Sequence, residues 1–189
     1  MYQINKRLPI FVENIGDPFN LKEVISEYRK TISHQKHTSN VKAWQSSYFT
    51  HNETNIFDES IDYVLKKCDL MISNYYKDNK ITHKCINMWV MQYEENDHAV
   101  NHCHYPADYS CVYYIDVSQY SAPLIIEKRL QINPESGMLV VFPGIINHEV
   151  PPTKSGRTAM ALNIVKQHYD ISTERLPIQH QSIQEKHPG

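Results

Sequence analysis

No run of apolar residues in this 189-residue chain is long enough to cross a bilayer, which takes about 20 in succession. The opening stretch MYQINKRLPIFVENIGDPFN lacks the basic segment and following apolar segment of a secretory signal. Cysteine is sparse: Cys68, Cys85, Cys103 and Cys111 are scattered, and no C-x-x-C pair occurs. That spells out no disulfide framework, so the expectation is free thiols in a reducing, cytoplasmic setting. Charge of one sign is missing too. The net charge is −2 with neutral histidines, so no global positive field draws the protein to nucleic acid or to a membrane surface. Lys128, Arg129, Lys154 and Lys166 form no contiguous run. There is no internal repeat and no low-complexity tract.

What is present suffices for a single domain with its own core, without disulfides or a structural metal. We expect that domain over 1–170 and a polar tail over 171–189. Residues 8–12 (LPIFV) predict a short strand. Residues 20–32 predict a helix capped by Asn20, with Leu21, Val24, Ile25 and Tyr28 on one face. Residues 33–55 are polar and irregular, anchored by Trp44, Tyr48 and Phe49. The stretch 58–77 predicts a longer helix, capped by Asp58, with an apolar face from Ile61 to Tyr75. Beyond residue 80 the period changes to that of strands. INMWVMQY (86–93), SCVYYIDV (110–117), APLIIEK (122–128), GMLVVFP (137–143) and RTAMALNIVK (157–166) are separated by Pro and Gly turn signals. A β core over 86–166 supported by two helices predicts a mainly β protein, a sandwich or jelly roll with helices on one face.

The chemistry gathers near NHCHYPADYSCVYYI, residues 101–115. Alternation along an extended segment places His102 and His104 on one face and Cys103 on the other. His148 follows a strand and a turn, and is the best third partner. Arg157 opens the next strand, where its planar fork is suited to holding a carboxylate. Three ligands with open positions on one side are what non-haem Fe(II) oxygen chemistry requires, although imidazole also suits zinc, copper and nickel. The remaining histidines lie in polar stretches and read as solvated, with His98 the nearest to the cluster. Trp44 and Trp89 read as core or interface residues rather than substrate platforms.

From Asn87 to Lys166 the sequence resembles the Fe(II)- and 2-oxoglutarate-dependent oxygenases, and within them a group of hydroxylase-like proteins of bacteria and phages. The segments that carry the resemblance are NMWVMQY (87–93), HCHYPADYSCVYYI (102–115), PESGMLVVFPGIINHEV (134–150) and GRTAMALNIV (156–165). The resemblance implies a double-stranded β-helix with Fe(II) as cofactor and 2-oxoglutarate and O₂ as co-substrates. It implies hydroxylation of an unactivated C–H, in a peptidyl (prolyl) side chain or a small molecule. By it, His102, His104 and His148 hold the metal, and Arg157 pairs with the 5-carboxylate of 2-oxoglutarate. Tyr113 or Tyr114 (adjacent strand residues, so one at most faces the pocket) and Asn163 would be further co-substrate contacts, and Tyr113 is the tyrosine assigned here. The family pattern is H-x-D or H-x-E, and this chain has H-x-H. That departure leaves Asp108, four residues on, as an alternative metal ligand.

Two other functions use the same residues. A cupin-like binding jelly roll would keep the histidines but has no need of Arg157. A zinc hydrolase would suit three histidines and an open position, with Glu149 as general base. Glu149 adjoins His148 on a strand, however, and should point away from the metal. Halogenation is not favoured, because a histidine fills the position where halogenating relatives lose the carboxylate and bind halide.

Overall fold

The structure, a computed structural model, describes residues 8–32 and 40–167. The expected tail over 171–189 lies outside the described residues. The chain runs through β1 (Phe11–Asn14), α1 (Leu21–Thr31), β2 (Val41–Lys42), β3 (Trp44–Gln45), α2 (Thr50–Glu53) and α3 (Asp58–Tyr76). It continues with β4 (His83–Tyr93), β5 (His98–His102), β6 (Tyr109–Val117), β7 (Leu124–Ile126) and β8 (Leu130–Ile132). Three strands close it: β9 (Met138–Pro143), β10 (His148–Val150) and β11 (Arg157–Lys166).

The strands form two antiparallel sheets, in the order β1-β9-β6-β11-β4-β3 and β2-β5-β10-β7-β8. This is the expected jelly roll with helices on one face. The larger sheet is apolar on both faces, because each face is covered. β11 is buried at eight successive positions, Arg157 to Ile164, the pattern of a strand enclosed on both sides. Its Met160, Leu162 and Ile164 join Ile25, Phe57, Val64 and Cys68 of the helical layer. Its Ala159 and Ala161 instead face a second core between the sheets, with Trp89, Met91, Tyr114, Phe142 and Val150.

Both long helices lie where their apolar period predicts, with different caps. Asn20 takes a left-handed conformation, φ 52° and ψ 45°, and its side chain caps nothing, since a capping residue needs extended backbone to reach the first amides. Asp17 does that work. Its carboxylate accepts the Phe19 and Leu21 N–H groups at 3.2 and 3.0 Å. Asp58 is the first residue of α3 rather than its cap, and Phe57 precedes it. There its charge, with that of Glu59, favours the positive end of the helix dipole. The short strands β5, β8 and β10 were not separable from loops by alternation. Two of the three carry the site.

Candidate metal centre

β5 and β10 are antiparallel neighbours, and their register sets His102 opposite His148. The two imidazole centroids lie 4.3 Å apart. His104 sits two residues beyond the end of β5, and its N–H donates to the Gly144 carbonyl at 2.7 Å. That bond carries its ring back to the pair, 5.0 Å from each of the other two. One ligand atom from each residue lies within 4.8 Å of the others, a spacing that one ion closes after small ring rotations.

The surroundings hold these rings neutral and oriented. His102 Nδ1 lies 2.7 Å from the Val100 carbonyl, and His148 Nδ1 lies 3.2 Å from that of Ile146. In the tautomer these contacts favour, Nδ1–H donates and the Nε2 lone pair is left for a metal. Burial is the main cause that lowers the pKa of all three. His104 falls to about 3, with the neighbouring charges of His148 and His102 adding to burial. His148 falls to about 4 through burial and the charge of His102. Neutral imidazoles around one point, each with a carbonyl partner or a packed ring, fit a divalent transition metal.

Arg157 supplies the second half of the site. Its residue is only 4% exposed, and Nη1 donates to the Ala122 carbonyl at 2.8 Å. The guanidinium carbon lies 4.3 Å from the Tyr93 ring centre and 5.5 Å from that of Tyr114. Nε is buried without a partner, and no carboxylate lies within ion-pair distance among the described residues. A buried charge lacking its counter-charge is costly. This one lines the same cavity as the three histidines, and no acidic residue lines it. The arrangement fits an anion that reaches from Arg157 toward the histidines.

Other expected site residues lie elsewhere. Tyr113 turns to the helical side of the sheet, where its hydroxyl donates to the Gly16 carbonyl, and Tyr114 faces the cavity in its place. Asn163 is on the cavity side of β11 but six residues beyond Arg157, where its amide donates to Asn87 Oδ1 at 3.3 Å. It is outside the cavity lining. Asp108 is exposed, and its carboxylate accepts the Lys166 N–H at 2.7 Å, so it is turned away from the histidines. Cys103 is exposed, and neither His98 nor Glu149 lines the cavity. Tyr93 and Trp89 do line it. The signal for Tyr93 is its place opposite Arg157 across the β4–β11 pair, which needs the register to be known.

No family model and no curated protein matches the sequence. Solved structures do match the fold. A prolyl hydroxylase from Trichoplax adhaerens, in complex with a hypoxia inducible factor oxygen degradation domain peptide fragment, superposes with a TM-score of 0.61 at 18% identity, over 82% of this chain and 83% of that one. A prolyl-4-hydroxylase from Pseudomonas putida gives 0.58 at 13% identity, over 84% and 93%. An oxidoreductase of the 2OG-Fe(II) oxygenase family from Burkholderia pseudomallei gives 0.59 at 10%, over 82% and 85%. The chain therefore shares the double-stranded β-helix fold of these structures.

Proposed function

We propose that the chain is an Fe(II)- and 2-oxoglutarate-dependent dioxygenase that hydroxylates an unactivated C–H. The observation that carries this reading is Arg157, buried without a carboxylate in the cavity that three neutral histidines share. The group they would hold supplies oxygen activation at iron, coupled to loss of CO₂ from the co-acid. His102, His104 and His148 would bind the metal through nitrogen. Arg157 would take the distal carboxylate, with Tyr93 and Tyr114 stacked against its guanidinium to fix its plane. The packed walls, Met91, Val112, Leu124 and Val150 among them, would exclude water from the reacting centre. A peptidyl prolyl side chain is the substrate class most in keeping with the prolyl hydroxylases that share the fold. A cytoplasmic site of action agrees with four free cysteines, and no helix of the described residues is long and apolar enough to cross a membrane.

The competing functions use less of the site. A binding jelly roll leaves the buried Arg157 without a purpose. A zinc hydrolase lacks its base, because Glu149 does not line the cavity. The test is an anaerobic titration of metal-free protein with Fe(II) and then 2-oxoglutarate, watching for the visible metal-to-ligand charge-transfer band. The band should appear, weaken with Arg157→Ala and vanish with His148→Ala. Tight zinc binding with no such band would overturn the reading.

A further inference from the structure

Trp89 is the other buried donor of this cavity left without an acceptor. The residue is 3% exposed, and Nε1 has no hydrogen-bond partner. Buried indole N–H groups ordinarily find one. Its position is set from two sides. The ring packs edge-on against Tyr48 at 4.9 Å, and the preceding residue on β4, Met88, donates its N–H to the Tyr48 carbonyl at 3.0 Å. On its other flank the ring lies 5.5 Å from the His104 imidazole.

The sheet register places Trp89 along the cavity. On β4 and β11 Trp89 faces Ala161, while Tyr93 faces Arg157. Four residues separate the two rungs, about 13 Å along a strand. Arg157 and its stacked tyrosines thus hold one end, and Trp89 stands beside the histidines at the other. Between the two rungs the lining is apolar, Met91 and Ala159, and Val112 and Ala161 stand level with Trp89. A cavity with an unsatisfied N–H donor toward each end and no carboxylate of its own suits a short dianionic chain.

We infer that Trp89 is a binding residue for the co-acid, donating Nε1–H to its metal-proximal carboxylate; this rests on the oxygenase reading of the same site. His104 contributes no negative charge where the fold's usual pattern has a carboxylate. The bound co-acid is then the anion nearest the metal, and a neutral N–H beside it adds a charge-assisted hydrogen bond without repelling it.

The test uses the whole chain loaded with Zn(II), which takes the same imidazole ligands and is redox-inert. Calorimetry gives the affinity for 2-oxoglutarate, and a competing chelator gives the affinity for zinc. Trp89→Phe keeps the aromatic packing and removes the donor. It should weaken 2-oxoglutarate binding on the order of tenfold or more and leave zinc binding within about twofold. The chain has two tryptophans, so Trp44→Phe leaves Trp89 as the sole indole emitter. Its fluorescence should change on adding 2-oxoglutarate, whether or not Trp89→Phe folds. Equal affinity in Trp89→Phe, or an unresponsive Trp89 signal while 2-oxoglutarate binds, overturns the role of Trp89 alone. If the zinc-loaded wild-type protein binds no 2-oxoglutarate, the oxygenase reading falls and takes this inference with it.

Discussion

A buried imidazole that must stay neutral ties stability to pH with a definite sign. In the unfolded chain the histidines bind protons near their ordinary value of 6.5, whereas in the fold His104 does so only at about 3 and His148 at about 4. Between those values the unfolded state holds more protons, so stability is lost as pH falls from about 6.5 toward 4. The metal-free protein should melt well below its pH 7.5 temperature when measured at pH 4.5, and His104→Gln should shrink that difference. An unchanged pH dependence in the variant would show that His104 carries none of the effect. That the three histidines and Arg157 gather in one cavity was legible in the sequence, because an H-x-H pair, a later histidine and an arginine in β-strand context form a chemically unusual set. Tyr113 was not readable in the same way. Alternation states that Tyr113 and Tyr114 face opposite sides, but which side is the cavity depends on where the helices pack, and that is a long-range fact. Asn163 differs for another reason: it is on the cavity face of β11 but six residues along from Arg157, outside the cavity lining.

At the scale of elements, the site depends on a turn docked against a loop. Gly144 receives the His104 N–H through its carbonyl, and its own N–H donates to the Asp108 carbonyl at 3.0 Å. A Cβ at this glycine would lie 2.2 Å from the Ala107 carbonyl oxygen, so any side chain must displace the segment that carries His104. Gly144→Ala should therefore lower metal affinity on the order of tenfold and cost about 1–3 kcal/mol of stability. Gly16→Ala is the matched control. It meets nothing within 4 Å, and its φ of +69° makes the substitution costly for backbone reasons alone. A chelator titration and a thermal melt on both variants separate the effects; equal metal affinity in Gly144→Ala would break the link between the turn and the site. The long elements were legible because a period repeated over many residues outweighs local exceptions, as in α3 and β11. The three-residue β10 offers no period. It exists because pairing with β5 and β7 satisfies its backbone, and sequence alone does not show those partners.

For the molecule as a whole, β11 is the wall between two cores that serve different ends. Alternate residues report to different neighbours: Met160 to the helical layer, Ala159 and Ala161 to the cavity. The large side chain stands where volume must be filled and the small ones where the cavity stays open. Stability and binding should therefore separate along a single strand. Met160, fully buried, should cost about 2–5 kcal/mol when changed to alanine, with metal and 2-oxoglutarate affinities within about twofold of wild type. Ala161→Leu should do the opposite. It fills the cavity beside Trp89, opposite which Ala161 stands, so 2-oxoglutarate binding should fall more than tenfold while the zinc-loaded site persists, at an overpacking cost of about 1–3 kcal/mol. Urea unfolding and calorimetry on the two variants decide the matter. If Met160→Ala impairs binding as much as Ala161→Leu does, the two cores are one cooperative unit, and the helical layer shapes the site as well as supporting it.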